Sequence, residues 1–203
     1  MAAPSGAGTE LRKHYINGSG IPGLFAVNQD HSGDSDKVAL SYCRAIGLTK
    51  SGVVKSTFKE ETETDLFGEQ AVLIGGIPKL IQSSYKVLLE SNYSPAVSWL
   101  VCYYELKTIV DMFHSKGFEF MNTAISDTAE YGGITRGERI IGEDVKNEMR
   151  KVLKEIQSGE FHKEWMKEHD NDYPELEELR KNEKELFIEK ISQYMLEEFF
   201  GSK

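Results

Sequence analysis

The segment from residue 95 to residue 115, PAVSWLVCYYELKTIVDMFHS, constrains the fold more than any other part of the chain. Its length and composition predict a helix that is apolar over most of its surface, and helices of this kind are buried. Gly117 lies two residues after this segment and predicts the end of the helix. An apolar helix surface this extensive needs a cover, so the sequence predicts a helical fold that associates with a second copy of itself.

Glu105 is the one carboxylate of WLVCYYELKTIV (99–110), the most apolar part of this segment. A buried carboxylate needs a partner or a metal ion, because an unpaired buried charge is costly. Lys107 does not share a helix face with Glu105 and is a poor partner. Two interpretations stay open: Glu105 is a metal ligand, or it reaches the surface or pairs with an arginine from elsewhere.

Two regions of different character meet near Thr57. Before it, residues 24–27 and 53–54 read as short strands on either side of a helix at residues 36–46, an order typical of α/β structure. After it, helices are predicted at residues 65–75, 78–90, 95–115, 119–126 and 143–157, with an ordered glycine-rich loop at residues 131–142. The sequence thus predicts a mainly α fold with two parts, residues 1–57 and residues 58–203.

The densest group of potential ligands is Glu60, Glu61, Glu63, Asp65 and Glu69. Asp65 and Glu69 are four residues apart, a spacing that places two carboxylates on one face of a helix. Like charges repel at that spacing, and a cation between them reverses the effect. Mg²⁺ prefers such hard oxygen ligands and commonly takes one or two carboxylates. The alternative is a solvated acidic helix start, which is favourable near the positive end of the helix dipole.

Ser126 lies at the end of the predicted helix at residues 119–126, in the stretch AISDTAEYGG. Its hydroxyl could contact a ligand, or it could cap a helix. Asp127 and Glu130 allow the same two interpretations.

Charge and cysteine content exclude several classes of function. The formal net charge is −9, which opposes binding to nucleic acid. Cys43 and Cys102 form no Cys-x-x-Cys pair, so a thiolate zinc site is not expected, and both read as buried thiols of a reducing cytoplasm. No apolar run is long enough to span a bilayer, and the first residues do not resemble a signal peptide. We therefore expect a cytoplasmic protein.

Several stretches resemble the ketol-acid reductoisomerase family, an enzyme family of valine and isoleucine biosynthesis. TFKEETETDLFGEQAVL (57–73) resembles the family's signature segment, and ELKTIVDM (105–112) and ISDTAEYGGITRG (125–137) resemble two further blocks in order and spacing. KEIQSGEFHKEW (154–165), GSGIPGLFAVNQD (18–30) and LSYCRAIG (40–47) extend the resemblance over nearly the whole chain.

The resemblance implies a helical, knotted C-terminal domain preceded by a partial Rossmann-like α/β remnant. It implies that Asp65, Glu69 and Glu105 are magnesium ligands and that Ser126 contacts the substrate. In the short-chain form of the family two subunits intertwine, so Asp65 and Glu69 of one chain would face Glu105 and Ser126 of the other. The implied reaction is a metal-assisted alkyl migration in an acetohydroxy acid such as 2-acetolactate, followed by reduction with NADPH.

This chain departs from the family pattern in three ways. The resemblance implies that residue 1 corresponds to a point deep inside the nucleotide domain, so we expect no NADPH-binding residues. Val101 stands where the family pattern has a glutamate ligand of a second metal ion, and Ser5 stands where it has a lysine. A match to a dinucleotide fingerprint at Gly18-x-Gly20-x-x-Gly23 has no strand before it and is interpreted as a loop.

Three functional hypotheses follow. In the first, the chain is a reductoisomerase-family polypeptide that binds Mg²⁺ weakly and is inactive alone; in a variant of it, a second polypeptide completes a split enzyme. In the second, the chain is a non-catalytic dimerisation or regulatory module that pairs with a full-length paralogue. In the third, it is a cloned fragment or the product of a decayed gene.

Overall fold

The computed structural model describes residues 1–201 of the 203-residue chain and divides into two compact units, one of Met1–Leu66 and one that begins at Phe67. The fold is mainly helical, with one small three-stranded sheet, as the sequence predicts. The predicted domain boundary between residues 57 and 58 and the predicted knot stay predictions. Within residues 1–201, no helix is both long and apolar enough to cross a membrane.

The first unit contains the sheet. Its elements are β1 (Ala2–Pro4), α1 (Gly8–Ile16), β2 (Gly23–Phe25), α2 (Ser35–Ala45), a 3₁₀ turn (Leu48–Lys50), β3 (Val53–Lys55) and most of α3 (Phe58–Gly68). The strand order is β1-β2-β3, with β1 antiparallel to β2 and β2 parallel to β3. The predicted strand–helix–strand order is therefore confirmed, with α2 as the connection that a parallel pair requires.

The core of the first unit consists of Ile21, Phe25, Cys43 and Leu48. Burial raises the pKa of the Cys43 thiol, which is the behaviour of an inert core cysteine. Gly18 and Gly20 lie between α1 and β2, so the apparent fingerprint follows a helix and precedes a strand. This order is the reverse of a dinucleotide-binding turn, and the prediction of a loop is confirmed.

The second unit is built from helices. The chain continues from α3 through a π-helical segment (Glu69–Leu73) into α4 (Gly76–Glu90), α5 (Pro95–Trp99), a second π-helical segment (Leu100–Tyr104) and α6 (Leu106–Ala124). The last five helices are α7 (Asp127–Ile140), α8 (Glu143–Ser158), α9 (Glu160–Asp170), α10 (Pro174–Glu185) and α11 (Phe187–Phe200). Tyr85, Trp99, Ile188 and Met195 form the core, so α4, α5 and α11 pack together.

Two sequence expectations for this unit are wrong. The predicted loop at residues 131–142 is mostly the helix α7, because a serine cap and the acids Asp127 and Glu130 stabilise its first turn despite three helical glycines. The predicted helix at residues 95–115 forms and breaks at Gly117 (φ 85°), but within 95–115 only Ser98 and Trp99 are fully buried, and the π-helical segment Leu100–Tyr104 contains no fully buried residue. The other apolar side chains of this stretch are half-buried, such as Leu100 and Leu106, or exposed, such as Val97 and Val101.

Candidate metal- and substrate-binding site

Asp65 and Glu69 lie in consecutive helical segments of the chain. Asp65 is an exposed residue of α3, and Glu69 is the partly buried first residue of the first π-helical segment. The hydroxyl of Thr57 accepts a hydrogen bond from the backbone N–H of Glu60 at 3.0 Å, so it acts as the cap of α3. The cap and the acids of the first turn explain why this polar sequence is helical.

Other acids of the cluster have local partners. The Glu60 carboxylate accepts a hydrogen bond from the Ser56 hydroxyl at 2.7 Å, and Glu63 forms an ion pair of 3.9 Å with the lysine one turn earlier. By contrast, residues 1–201 provide no hydrogen-bond or ion-pair partner for the side chains of Asp65 and Glu69. These two carboxylates are therefore available to a ligand.

The main chain of Glu69 departs from α-helical geometry. Its carbonyl accepts two hydrogen bonds, from the N–H of Ile74 at 2.8 Å and from the N–H of Gly75 at 3.1 Å. An α-helical residue would accept from the fourth residue ahead, so this turn is wider by one residue. Within it, the Gln70 Nε2 atom is buried and has no hydrogen-bond partner among the described residues.

Glu105 follows the second π-helical segment. Its N–H donates to the carbonyl of Leu100 at 3.0 Å, which closes the wide turn. Its side chain is exposed, and residues 1–201 contain no partner for its carboxylate. The interpretation of Glu105 as an acid that reaches the surface of this chain therefore agrees with the structure, and its role as a metal ligand stays a prediction.

Val101 and Ser5 are the two positions where the sequence resemblance implies charged side chains. Val101 lies in the second π-helical segment with 53% of its surface exposed, and valine offers no oxygen or nitrogen to a cation. Ser5 is also exposed, and its N–H donates to the carbonyl of Pro22 at 3.0 Å. Neither residue brings charge to its surroundings.

The donor chemistry suits a hard divalent cation. Asp65, Glu69 and Glu105 supply carboxylate oxygens, the ligands that Mg²⁺ prefers. Throughout the described part of the chain, however, no three histidine, cysteine, aspartate or glutamate side chains lie close enough together to hold one metal ion.

Ser126 is the N-terminal cap of α7. Its Oγ accepts a hydrogen bond from the N–H of Ala129 at 3.2 Å, and the serine is exposed. The capping interpretation is thus confirmed. A contact between this hydroxyl and a substrate stays a prediction.

The two π-helical segments are the feature of the site that the sequence did not predict. One signal was present, because Gly75 and Gly76 lie six and seven residues after Glu69. These glycines read as the end of a helix, and a wide helical turn has no periodicity that a sequence pattern detects. Such turns occur frequently at functional sites.

Comparison with known proteins decides the family. A sequence model described as the C-terminal domain of ketol-acid reductoisomerase matches residues 58–199, well over half of the chain. The chain belongs to the ketol-acid reductoisomerase family. A second model, described as the NADPH-binding domain of acetohydroxy acid isomeroreductase, matches residues 1–52. The family resemblance of the sequence motifs is thereby confirmed.

Two ketol-acid reductoisomerases illustrate the similarity. The curated "Ketol-acid reductoisomerase (NADP(+))" of Methanocaldococcus jannaschii is 48% identical over 191 residues, which is 94% of this chain and 58% of the relative. A solved NADH-preferring ketol-acid reductoisomerase from an uncultured archaean is 40% identical, with a TM-score of 0.94 over 100% of this chain and 61% of that chain. The chain thus spans about three fifths of the length of the reductoisomerases it matches.

Proposed function

We propose that this chain carries the metal- and substrate-binding part of a ketol-acid reductoisomerase of valine and isoleucine biosynthesis. The reaction would be alkyl migration in an acetohydroxy acid followed by reduction with NADPH. The observation that carries this proposal is the match of the family's C-terminal domain to residues 58–199, which include Asp65, Glu69, Glu105 and Ser126. NADPH is proposed as the reductant because the family's NADPH-binding domain matches residues 1–52.

Asp65, Glu69 and Glu105 would hold Mg²⁺. When bound, the ion would polarise substrate oxygens as a Lewis acid. Asp65 and Glu69 are four residues apart, so their carboxylates repel each other without a cation and gain from one that lies between them. The lack of internal partners for these two side chains in residues 1–201 supports this role.

Ser126 would bind the substrate while it caps α7. Its oxygen accepts one hydrogen bond, from the N–H of Ala129. A hydroxyl also has one proton to donate and a second lone pair, so the cap leaves a donor for a substrate oxygen. Replacement of Ser126 would therefore affect both helix stability and substrate binding.

A homodimer with intertwined helices would complete the site. Many large apolar side chains of the second unit are exposed, including Val97, Val101, Tyr103 and Tyr104. Exposed apolar patches of this kind mark protein interfaces. In such a dimer Asp65 and Glu69 of one chain would meet Glu105 and Ser126 of the other, and sedimentation of a stable monomer would contradict this arrangement.

Activity of the purified chain is the main test. Because Val101 offers no ligand to a second cation and Ser5 brings no positive charge, we expect weak Mg²⁺ binding and no NADPH oxidation with 2-acetolactate. Measurable turnover by the chain alone would contradict this part of the proposal. In calorimetry, Asp65→Ala should weaken Mg²⁺ binding, whereas equal affinities for the variant and the wild type would contradict the ligand assignment.

The second candidate is a non-catalytic dimerisation or regulatory module that forms a hetero-oligomer with a full-length paralogue. The exposed valine at position 101, in place of an acid, favours it, because the helix surface is kept while a ligand is lost. An activity assay of a full-length reductoisomerase with and without this chain separates the candidates. We propose a cytoplasmic location for the chain under either candidate function.

A further inference from the structure

We propose that Gly75 and Gly76 are positioning residues for the carboxylate of Glu69. They permit the π-helical turn that holds the Glu69 main chain, and no larger residue fits at either position. This inference rests on the proposed role of Glu69 as a metal ligand.

The first line of evidence is the lack of space for a side chain at the two glycines. A Cβ atom built on Gly75 would lie 1.9 Å from the carbonyl oxygen of Gln70, and one on Gly76 would lie 2.2 Å from the carbonyl oxygen of Ala71. Both obstacles are backbone atoms, which a side-chain rotation cannot move aside. Any other residue at these positions therefore requires the turn itself to change.

The second line of evidence is the pair of hydrogen bonds that the Glu69 carbonyl accepts. The N–H groups of Ile74 and Gly75 both donate to the carbonyl of Glu69, at 2.8 and 3.1 Å. The peptide that follows Glu69 is thus held by two donors at the far end of the turn. Because the Cα–Cβ bond of a residue is fixed by its main chain, the start of the Glu69 side chain is fixed as well.

Gly68 provides a matched contrast on the other side of Glu69. It has ordinary helical angles (φ −59°, ψ −43°), and a Cβ atom built on it would have no heavy atom within 4 Å. Alanine is therefore compatible with the structure at position 68 but not at positions 75 and 76. The requirement for glycine is specific to the side of Glu69 where the turn is wide.

The consequence concerns metal binding rather than folding alone. If the wide turn closes to α-helical geometry, the main chain of Glu69 changes direction and its carboxylate leaves the orientation that it has here. Changes that misorient a metal ligand typically reduce metal affinity about 10- to 100-fold. We expect a loss of that size when either glycine is replaced.

The test measures Mn²⁺ binding to the full chain by electron paramagnetic resonance, with Mn²⁺ as a spectroscopic substitute for Mg²⁺. Gly75→Ala and Gly76→Ala should each raise the dissociation constant about 10- to 100-fold. Gly68→Ala should leave it within about twofold of wild type, because nothing obstructs its methyl group. Far-ultraviolet circular dichroism on the same samples reports whether each variant is helical.

A double-mutant cycle separates an effect through Glu69 from a general loss of structure. In a Glu69→Gln background, Gly75→Ala should have no further effect on the dissociation constant, because the group that it positions is already removed. An equal loss in both backgrounds would overturn the inference, as would wild-type affinity of Gly75→Ala. If Glu69→Gln itself binds Mn²⁺ as tightly as wild type, the ligand role fails, and this inference fails with it.

Deletion of Leu73 gives a second way to remove the turn. This residue lies inside the π-helical segment and is 63% exposed, so its loss shortens the wide turn by one residue with little loss of packing. We expect a helical protein with Mn²⁺ affinity reduced about 10- to 100-fold, like the glycine variants. A helical deletion variant with wild-type affinity would overturn the inference.

Discussion

Trp99 donates its indole N–H to the hydroxyl of Ser192 at 2.7 Å, although the two residues are 93 positions apart in the sequence. Both residues are buried, and the Ser192 hydroxyl in turn donates to the carbonyl of Ile188 at 2.8 Å. This chain of hydrogen bonds joins α5 to α11 inside the core of the second unit. It satisfies the only polar atom of the tryptophan side chain, which has no access to water.

The first prediction concerns this pair. Ser192→Ala leaves the indole N–H buried without an acceptor, and such a loss costs about 1–3 kcal/mol. We expect a lower free energy of unfolding by that amount in urea titrations followed by tryptophan fluorescence. Ser83→Ala is the control, because Ser83 is an exposed serine of α4. Equal stability of the two variants would show that the buried hydrogen bond contributes nothing.

The second prediction concerns the contact between α10 and α4. Glu183 accepts hydrogen bonds from Lys79 Nζ at 2.6 Å and from Gln82 Nε2 at 3.0 Å, and the bond from Lys79 is the main reason that the pKa of Glu183 is lowered. A carboxyl whose pKa is lower in the folded state stabilises the fold above its unfolded pKa. That contribution is lost as the pH falls through the folded pKa.

We therefore expect Glu183→Gln to be less stable than wild type at pH 7 by less than about 1 kcal/mol, because the pair is largely exposed. The difference should shrink to zero under acidic conditions, below the lowered pKa of Glu183, and it should also decrease in high salt. Urea unfolding of both proteins from pH 7 down to pH 3 checks this. A difference that stays constant over that range would contradict the role of the ion pair.

The third prediction separates the two roles of Ser126. Ser126→Ala removes the cap of α7 and should cost about 0.5–2 kcal/mol of stability. Ser126→Asn restores a capping side chain and should recover most of that loss. If Ser126 also binds the substrate, the asparagine variant should regain thermal stability without regaining affinity for 2-acetolactate. Recovery of both properties would leave capping as the only role of this residue.

Local patterns made most of the fold predictable. The strands flanking α2, the helix predicted at residues 78–90 (α4) and the amphipathic α8 follow from apolar spacing, glycines and prolines in the sequence. The loop prediction at residues 131–142 failed because glycine content was given more weight than the cap at Ser126 and the acids after it. Each helical glycine costs only about 1 kcal/mol relative to alanine, which a good cap offsets in part.

The candidate site was predictable only in its residue types. The spacing of Asp65 and Glu69 indicates a pair of carboxylates, but no pattern reveals that the first precedes a π-helical turn and the second begins it. The exposure of Val101 was not predictable, and a surface position of Glu105 was only one of two open interpretations, since the apolar neighbours of both residues indicate burial. Whether these residues are buried depends on what packs against this helix surface, and the sequence of a single chain does not specify that partner.

The last prediction tests whether a carboxylate at position 101 would bind the metal ion. Val101→Glu replaces a side chain that is 53% exposed, so little packing is lost, and it adds a second carboxylate one turn before Glu105. Without metal the two like charges should destabilise the helix by a few tenths of a kcal/mol. With Mg²⁺ bound, the second carboxylate should stabilise the helix instead. The Mg²⁺ affinity should rise at least about tenfold, because changes to residues that only support a metal ligand already alter affinity by about that factor.

Val97→Glu is the matched control for this prediction, because Val97 lies one turn earlier and is 56% exposed. It adds the same charge to the same helical stretch, farther from Glu105, so it should not raise Mg²⁺ affinity measured by calorimetry. An equal gain in both variants would reflect general attraction of the cation to negative charge rather than coordination. No gain in either would mean that Glu105 does not face a metal site, and a gain in Val101→Glu alone would identify position 101 as the point where this chain lost a ligand.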